Sequence, residues 1–212
     1  MKKLFLCAAM AAFAFTSVNA QEVTFGAKAG LNLASLGGDV EDVDGLTSFH
    51  FGAVAEISIS EKFSVQPELL YSAQGAKIEE SYSEVGYTIS GESKLKLNYL
   101  NIPIIAKYYV AEGFSVEAGP QLGLLLSAEE DWEYSETFEG ETTSESGEND
   151  VKDEYKGIDF GFNIGVGYKL NSGLNFAARY NLGLANINDD GDGSDDFKIN
   201  NNVLQVSVGY FF

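Results

Sequence analysis

Strict alternation of apolar and polar side chains constrains this chain more than any other feature, because a period of two fits a β-strand with two unlike faces and nothing helical. It recurs eight times. In the first run Val23, Phe25, Ala27, Ala29, Leu31 and Leu33 alternate with Thr24, Gly26, Lys28, Gly30 and Asn32. Comparable runs cover residues 49–59, 63–74, 95–108, 114–126, 158–170, 174–184 and 204–212. The fourth run changes phase once. Leu95, Leu97 and Tyr99 share one parity, while Leu100, Ile102, Ile104, Ala106 and Tyr108 hold the other. A one-residue β-bulge near Tyr99 and Leu100 would restore one apolar face. Pro67, Pro103 and Pro120 fall inside these runs, so local irregularity is expected where proline withholds a ladder donor.

Along all eight runs the apolar parity carries no charge, and the other parity mixes glycines with acids and bases. A water-soluble barrel would put charge on its outer face. Small residues with paired charges instead suit the narrow interior of an eight-stranded barrel whose outside is lipid. Each run is as long as the roughly 9–11 residues a tilted strand needs to cross a bilayer. The connections alternate in length: short at 60–62, 110–113 and 171–173, long at 37–47, 79–93, 129–156 and 186–201. Short turns on one side and long loops on the other are the pattern of an outer-membrane barrel, the loops facing outward. Phe25, Phe63, Tyr108, Phe114, Tyr168, Phe176, Tyr210 and Phe212 mark one interfacial belt; Phe49, Phe51, Tyr71, Tyr99, Phe160 and Phe162 mark the other. The expected fold is an all-β, eight-stranded, antiparallel, up-and-down transmembrane barrel over residues 21–212.

Residues 1–20 read as an export signal. Lys2 and Lys3 precede an apolar stretch from Leu4 to Phe15, and Val18-Asn19-Ala20 ends it with a cleavage site after Ala20. The only cysteine, Cys7, lies in that apolar stretch, so the exported chain would have no disulfide to rely on. Removing the signal takes the formal charge from −19 to −21 (11 basic minus 32 acidic residues). That balance excludes nucleic acid as a partner, because phosphate binding needs a basic surface.

The acids are not spread evenly. The four long connections hold 25 of the 32, against only Lys152, Lys156 and Lys198. Within the barrel body the polar parity carries Glu56, Glu68, Glu117 and Asp159 beside Lys28, Lys107, Lys169 and Arg179. Four acids against four bases predict a lumen closed by ion pairs, since an unpaired charge there is costly. His50, the single histidine, faces the lumen by parity and has no strand serine or acid spaced to suggest a triad. The segment 188–196 resembles part of a calcium loop, but Ile199 stands where a bidentate glutamate belongs. Asp190, Asp192 and Asp196 are therefore weak Ca2+ or Mg2+ candidates and not a formed site, and no other cofactor is expected.

Several strand motifs are similar to those of the PorT-like, or "porin family", barrels within the general class of small OmpA- and OmpX-type outer-membrane barrels. They are Phe25-Gly26-Ala27-Lys28-Ala29-Gly30-Leu31-Asn32, the stretch from Gln66 to Ser72, Tyr99-Leu100-Asn101-Ile102-Pro103, and Gly119-Pro120-Gln121. The terminal Leu204-x-Val206-x-Val208-x-Tyr210-x-Phe212 resembles the signal read by the barrel-assembly machinery, with Tyr210 and Phe212 as its aromatic end. No residue cluster reads as catalytic, so the expected protein is a non-enzymatic integral barrel of the outer membrane, with lipid, lipopolysaccharide and the assembly machinery as partners and an envelope or extracellular protein as a further one. Adhesion, surface protection or a part in secretion assembly would use the acidic loops. A small-solute or ion channel is the competing reading, and a barrel enzyme a third.

Overall fold

The computed structural model describes residues 22–40, 43–189 and 197–212. Nine strands form one antiparallel sheet among them: β1 (Val23–Gly38), β2 (Asp44–Ser60), β3 (Phe63–Glu84), β4 (Tyr87–Ala111), β5 (Phe114–Phe138), β6 (Glu141–Asp150), β7 (Ile158–Lys169), β8 (Leu174–Gly183) and β9 (Ile199–Phe211). Eight of them close a ring in the order β1-β2-β3-β4-β5-β7-β8-β9, and β9 returns to pair with β1. Closure satisfies every strand edge in the ring, a requirement for backbone in hydrocarbon. Gly113 and Gly173, at φ 72° and 91°, supply the left-handed backbone that two of the tight turns need.

The ninth strand is not part of the ring. β4 and β5 are 25 residues each, about twice what a tilted strand needs to cross a bilayer. Their surplus continues past the ring as a hairpin-built sheet. Residues 78–84 of β3, 87–93 of β4, 130–138 of β5 and all of β6 pair side by side there. The segments 79–93 and 129–156, expected to be loops, are therefore mostly strand. Alternation survives there in Tyr87 and Ile89 and in Trp132, Tyr134 and Phe138, but acids stand on both parities and hide it. A short 3-10 turn, Lys152–Glu154, then brings the chain back to β7.

The phase change in β4 is not a bulge in that strand. β4 runs in unbroken register against β3 from Tyr87 to Tyr108. The step in the ladder lies across from it, where Asn98 pairs Ser127 and Tyr99 pairs Leu125, leaving Leu126 of β5 as the extra residue. Leu97 and Tyr99 point inward and are fully buried, so Tyr99 does not belong to the outer aromatic belt. The environment switches, not the parity: the inward positions Leu95, Leu97 and Tyr99 pack on an apolar cap, whereas below them Asn101 and Lys107 face the polar lumen with Pro103 and Ile105 between them. Pro67, Pro103 and Pro120 sit inside strands without shifting register, although pairing lapses beside each of them on one side.

Polarity runs opposite to that of a protein folded in water. Leu31 and Ile164 are 61% exposed and Val206 57%, with apolar side chains facing outward around the ring. Lys107 is 0% exposed, His50 1% and Arg179 2%. A continuous apolar exterior of this extent has no stable place in water and matches hydrocarbon. Phe49, Phe51 and Tyr71 cluster on it with ring centroids 5.4–6.2 Å apart.

Candidate functional site

The lumen is filled in two layers. In the lower layer β3 contributes Glu68 and β8 contributes Arg179. Arg179 Nη1 donates to Glu68 Oε1 at 2.6 Å, and its Nε donates to Glu117 Oε2 on β5 at 2.7 Å. Lys28 Nζ of β1 donates to the second oxygen of Glu68 at 3.2 Å. Nearer the short turns, Lys107 lies 3.3 Å from Glu56 and 3.6 Å from Glu117, and Lys169 lies 3.3 Å from Glu56. The Tyr109 hydroxyl donates a hydrogen bond to Glu56 Oε1 at 2.5 Å, and Gln66 Nε2 donates to Glu68 Oε1 at 2.6 Å. Seven of the eight lumen charges named from sequence thus meet in one network, with four bases on three acids. Asp159 stands apart from it: the carboxylate is buried near the far end of β7, and its Oδ1 has no hydrogen-bond partner. Spacing along one strand says nothing of height in the barrel, so parity alone could not separate Asp159 from the rest.

Above the ion network lies a relay that the sequence did not suggest. His50 Nδ1 is 2.7 Å from Asn32 Oδ1, and Nε2 is 2.9 Å from Ser207 Oγ. Asn32 Nδ2 donates to the carbonyl oxygens of Phe49 and Ala73 and to Ser72 Oγ, which fixes Oδ1 toward the ring. In the neutral ring Nδ1 therefore donates to Asn32 and Nε2 accepts from Ser207. The order serine, histidine, amide is that of a nucleophile, its base and an orienting group. Here all three side chains are buried: Asn32 is 0% exposed, His50 1% and Ser207 6%. The signal for this contact was Gly30, which pairs with His50 on one side and with Ser207 on the other. A Cβ on Gly30 would sit 2.7 Å from His50 Cε1, so the glycine leaves room for the ring to cross. Seeing it required knowing that the first and last strands are neighbours.

The upper layer is apolar. Leu36, Ala76, Leu97, Tyr99, Leu125, Ala128, Val151, Ile187 and Ile199 form a buried cluster, with Val40, Val43, Leu95 and Tyr155 packed on it. Val151 and Tyr155 come from the turn after β6, whose backbone ties to the barrel through Val151 N to Ala128 O at 3.0 Å. Burial, with Glu154 and Glu130 nearby, pushes the Tyr155 phenol up to about 12. Beside this cluster, a cavity of about 180 Å3 is lined by Ile78, Leu95, Tyr155, Glu130 and Glu154 among others.

Beyond the cap, the four-stranded outer sheet has two unlike faces. The face that continues the barrel's outer surface carries Glu79, Glu92 and Glu133 side by side, then rows of hydroxyls. Ser83 and Thr88 are 2.9 Å apart there, as are Thr137 and Thr142, and Ser144 donates to Ser135 at 3.2 Å. Lys77, Lys94 and Lys96 pair with Glu79, Glu92 and Asp131 at its foot. The face that continues the lumen wall carries Ile78, Tyr82, Tyr87, Ile89, Trp132, Tyr134 and Phe138, interleaved with glutamates. Asp190, Asp192 and Asp196, together with the signal segment, lie outside the described residues.

Residues 19–189 match the model of a family described as outer membrane protein beta-barrel domain. No curated protein matches the sequence. Among solved structures the chain is similar to Neisserial surface protein A (14% identity, 90% of this chain and 99% of that one, TM-score 0.48). It is similar also to Ail, the attachment invasion locus protein of Yersinia pestis (13% identity, 90% and 99%, TM-score 0.45). A third similar structure is Acinetobacter baumannii CarO (14% identity, 87% and 97%, TM-score 0.39). The family match is to the barrel domain and does not name the PorT-like group expected from the strand motifs. With a closed ring, an apolar exterior and a family match over most of its length, the chain belongs to the outer membrane protein beta-barrel domain family and is an outer-membrane barrel.

Proposed function

We propose that this protein is a non-conducting, non-enzymatic barrel whose working part is the acidic sheet it holds above the outer membrane, used in adhesion, surface protection or assembly with another envelope protein. One observation carries the reading. Residues 78–93 and 129–150, most of them in strands beyond the ring, contain 14 acids and no lysine or arginine. A rigid, strongly charged sheet held clear of the membrane steers and selects partners by charge. Ca2+ or Mg2+ held weakly by the outer acids, Asp190, Asp192 and Asp196 among them, would let the protein bridge to anionic lipopolysaccharide. Tyr210 and Phe212, at the end of the last strand, would be read by the assembly machinery.

The test is a barrel in which 79–92 and 130–149 are replaced by tight turns. It should insert as a heat-modifiable barrel, while cells bearing it lose attachment to cationic surfaces and the envelope partners captured by the wild type. Unchanged attachment and capture would show that the outer sheet is not the working part. The channel reading has against it the ion network and the apolar cap stacked in one lumen; a steady large current through reconstituted wild type would restore it.

A further inference from the structure

We infer that the inner face of the outer sheet is a docking surface for a lysine- or arginine-rich polypeptide segment. This rests on the display reading above and names the face and the partner class. The two faces of the sheet differ in the way that matters for such a partner. Lys77, Lys94 and Lys96 stand on the outward face and already occupy carboxylates there. The inward face has no base in any of its four strands. It carries Glu80, Glu84, Glu130, Glu136, Glu141 and Glu145, in register rows with the aromatic side chains.

Those rings are not explained by burial. Tyr82 is 55% exposed and Phe138 59%, and Tyr87 meets Phe138 edge-on at 6.3 Å. Rings and carboxylates alternating on one surface bind ammonium and guanidinium groups by ion pairing and by the negative faces of the rings together. Trp132 has a seat: it lies across Gly147 of β6, where a Cβ would come within 2.7 Å of the ring. That holds the indole flat at the middle of the face. At the foot of the same face, the cavity beside Tyr155 is apolar with Glu130 and Glu154 on its wall, which suits a long basic side chain with an apolar stem. A second copy of this chain is the wrong occupant, because its own outer sheet is as acidic.

Trp132 is the only tryptophan, so its emission reports on this face alone. The experiment titrates full-length protein in detergent with a short oligolysine peptide and, separately, with its fully acetylated form. Saturable change in Trp132 emission is expected with the first and none with the second. Two variants then remove the same charge from opposite faces. E80Q/E136Q/E145Q should weaken the peptide about tenfold or more, and E79Q/E92Q/E133Q less than about threefold, because pairing at contact is screened far less than a general field. Equal weakening by both would overturn the inference, as would an emission change produced by Ca2+ alone or by raising protein concentration without peptide. Protease reaching Glu139 on whole cells separates the two failures. If it cuts there and binding still ignores the face, display stands and only this inference falls.

Discussion

Glu68 and Arg179 sit on β3 and β8, diametrically opposite strands of the ring, and their side chains meet at 2.6 Å across the lumen. Glu56 and Lys169, on β2 and β7, make a second strut of the same kind at 3.3 Å. Neighbouring strands are held by the ladder. These two pairs tie together walls that no backbone hydrogen bond connects, and they place charge on the barrel axis where water or ions would pass.

Arg179→Ala should destabilise the barrel by about 3 kcal/mol, at the low end of the roughly 3–5 kcal/mol for breaking a buried pair. The low end follows from the network's surplus of base: Glu68 keeps Lys28 and Glu117 keeps Lys107. Arg179→Lys keeps the charge but cannot reach both Glu68 and Glu117 with a planar fork, and should fall between. Urea unfolding in lipid vesicles reads both. A variant as stable as wild type would mean the strut carries no load.

A lumen sealed twice should open only when both seals fail. Arg179→Ala leaves the apolar layer intact, and Tyr99→Ala leaves the ion network intact, so neither alone should pass current in a planar bilayer. Together they should give measurable single-channel events. The Tyr99 change should itself cost about 3–5 kcal/mol, as large-to-small core changes do. Conductance from either single variant would show that one of the layers does not seal.

What the sequence made legible was the ring, because lipid on one side and a crowded polar interior on the other impose period two on every strand within the bilayer. The lower ion network was legible for the same reason: Lys107 and Glu117 lie symmetrically about one turn and had to face each other. The upper third was not. Leu95, Leu97 and Tyr99 keep the inward parity of Asn101 and Lys107, but pack on an apolar cap instead of a polar lumen, and a change of partner looks like a change of phase. Outside the membrane acids occupy both parities and blur the contrast between the two faces. Glu133 and Tyr134 point to opposite faces of a sheet bathed on both sides, so that stretch reads as acidic loop until its register is known.

The Ser207, His50 and Asn32 relay has the geometry of an acyl-transfer site and the burial of a structural one. Its three members are nearly inaccessible, so a fluorophosphonate probe should leave Ser207 unlabelled in the folded protein. Ser207→Ala should cost about 1 kcal/mol, the net worth of one intramolecular hydrogen bond, rising toward ~3 if His50 is left unsatisfied. Labelling of Ser207 in native membranes, abolished by His50→Ala, would instead make this an enzyme.

Protease on whole cells should cut the outer sheet at its tips and not along its length. The tips are the turns at Val85-Gly86 and Glu139-Gly140, where Glu139 holds a positive φ of 49° and Val85 projects fully into solvent. Proteolysis needs an extended, unpaired stretch of backbone, which exposed turns supply and laddered strands withhold. Residues 130–138 are hydrogen-bonded to β4 on one side and to β6 on the other, despite being among the most acidic of the chain. A glutamate-specific protease thus meets a dense run of target residues, yet should open the chain first after Glu139, with Glu133 and Glu136 spared. Mass spectrometry of the fragments left in the membrane distinguishes the outcomes. Cuts scattered through 129–150 would mean that β5 and β6 do not hold together beyond the barrel, and cuts seen only after the outer membrane is permeabilised would place the sheet on the wrong side of it.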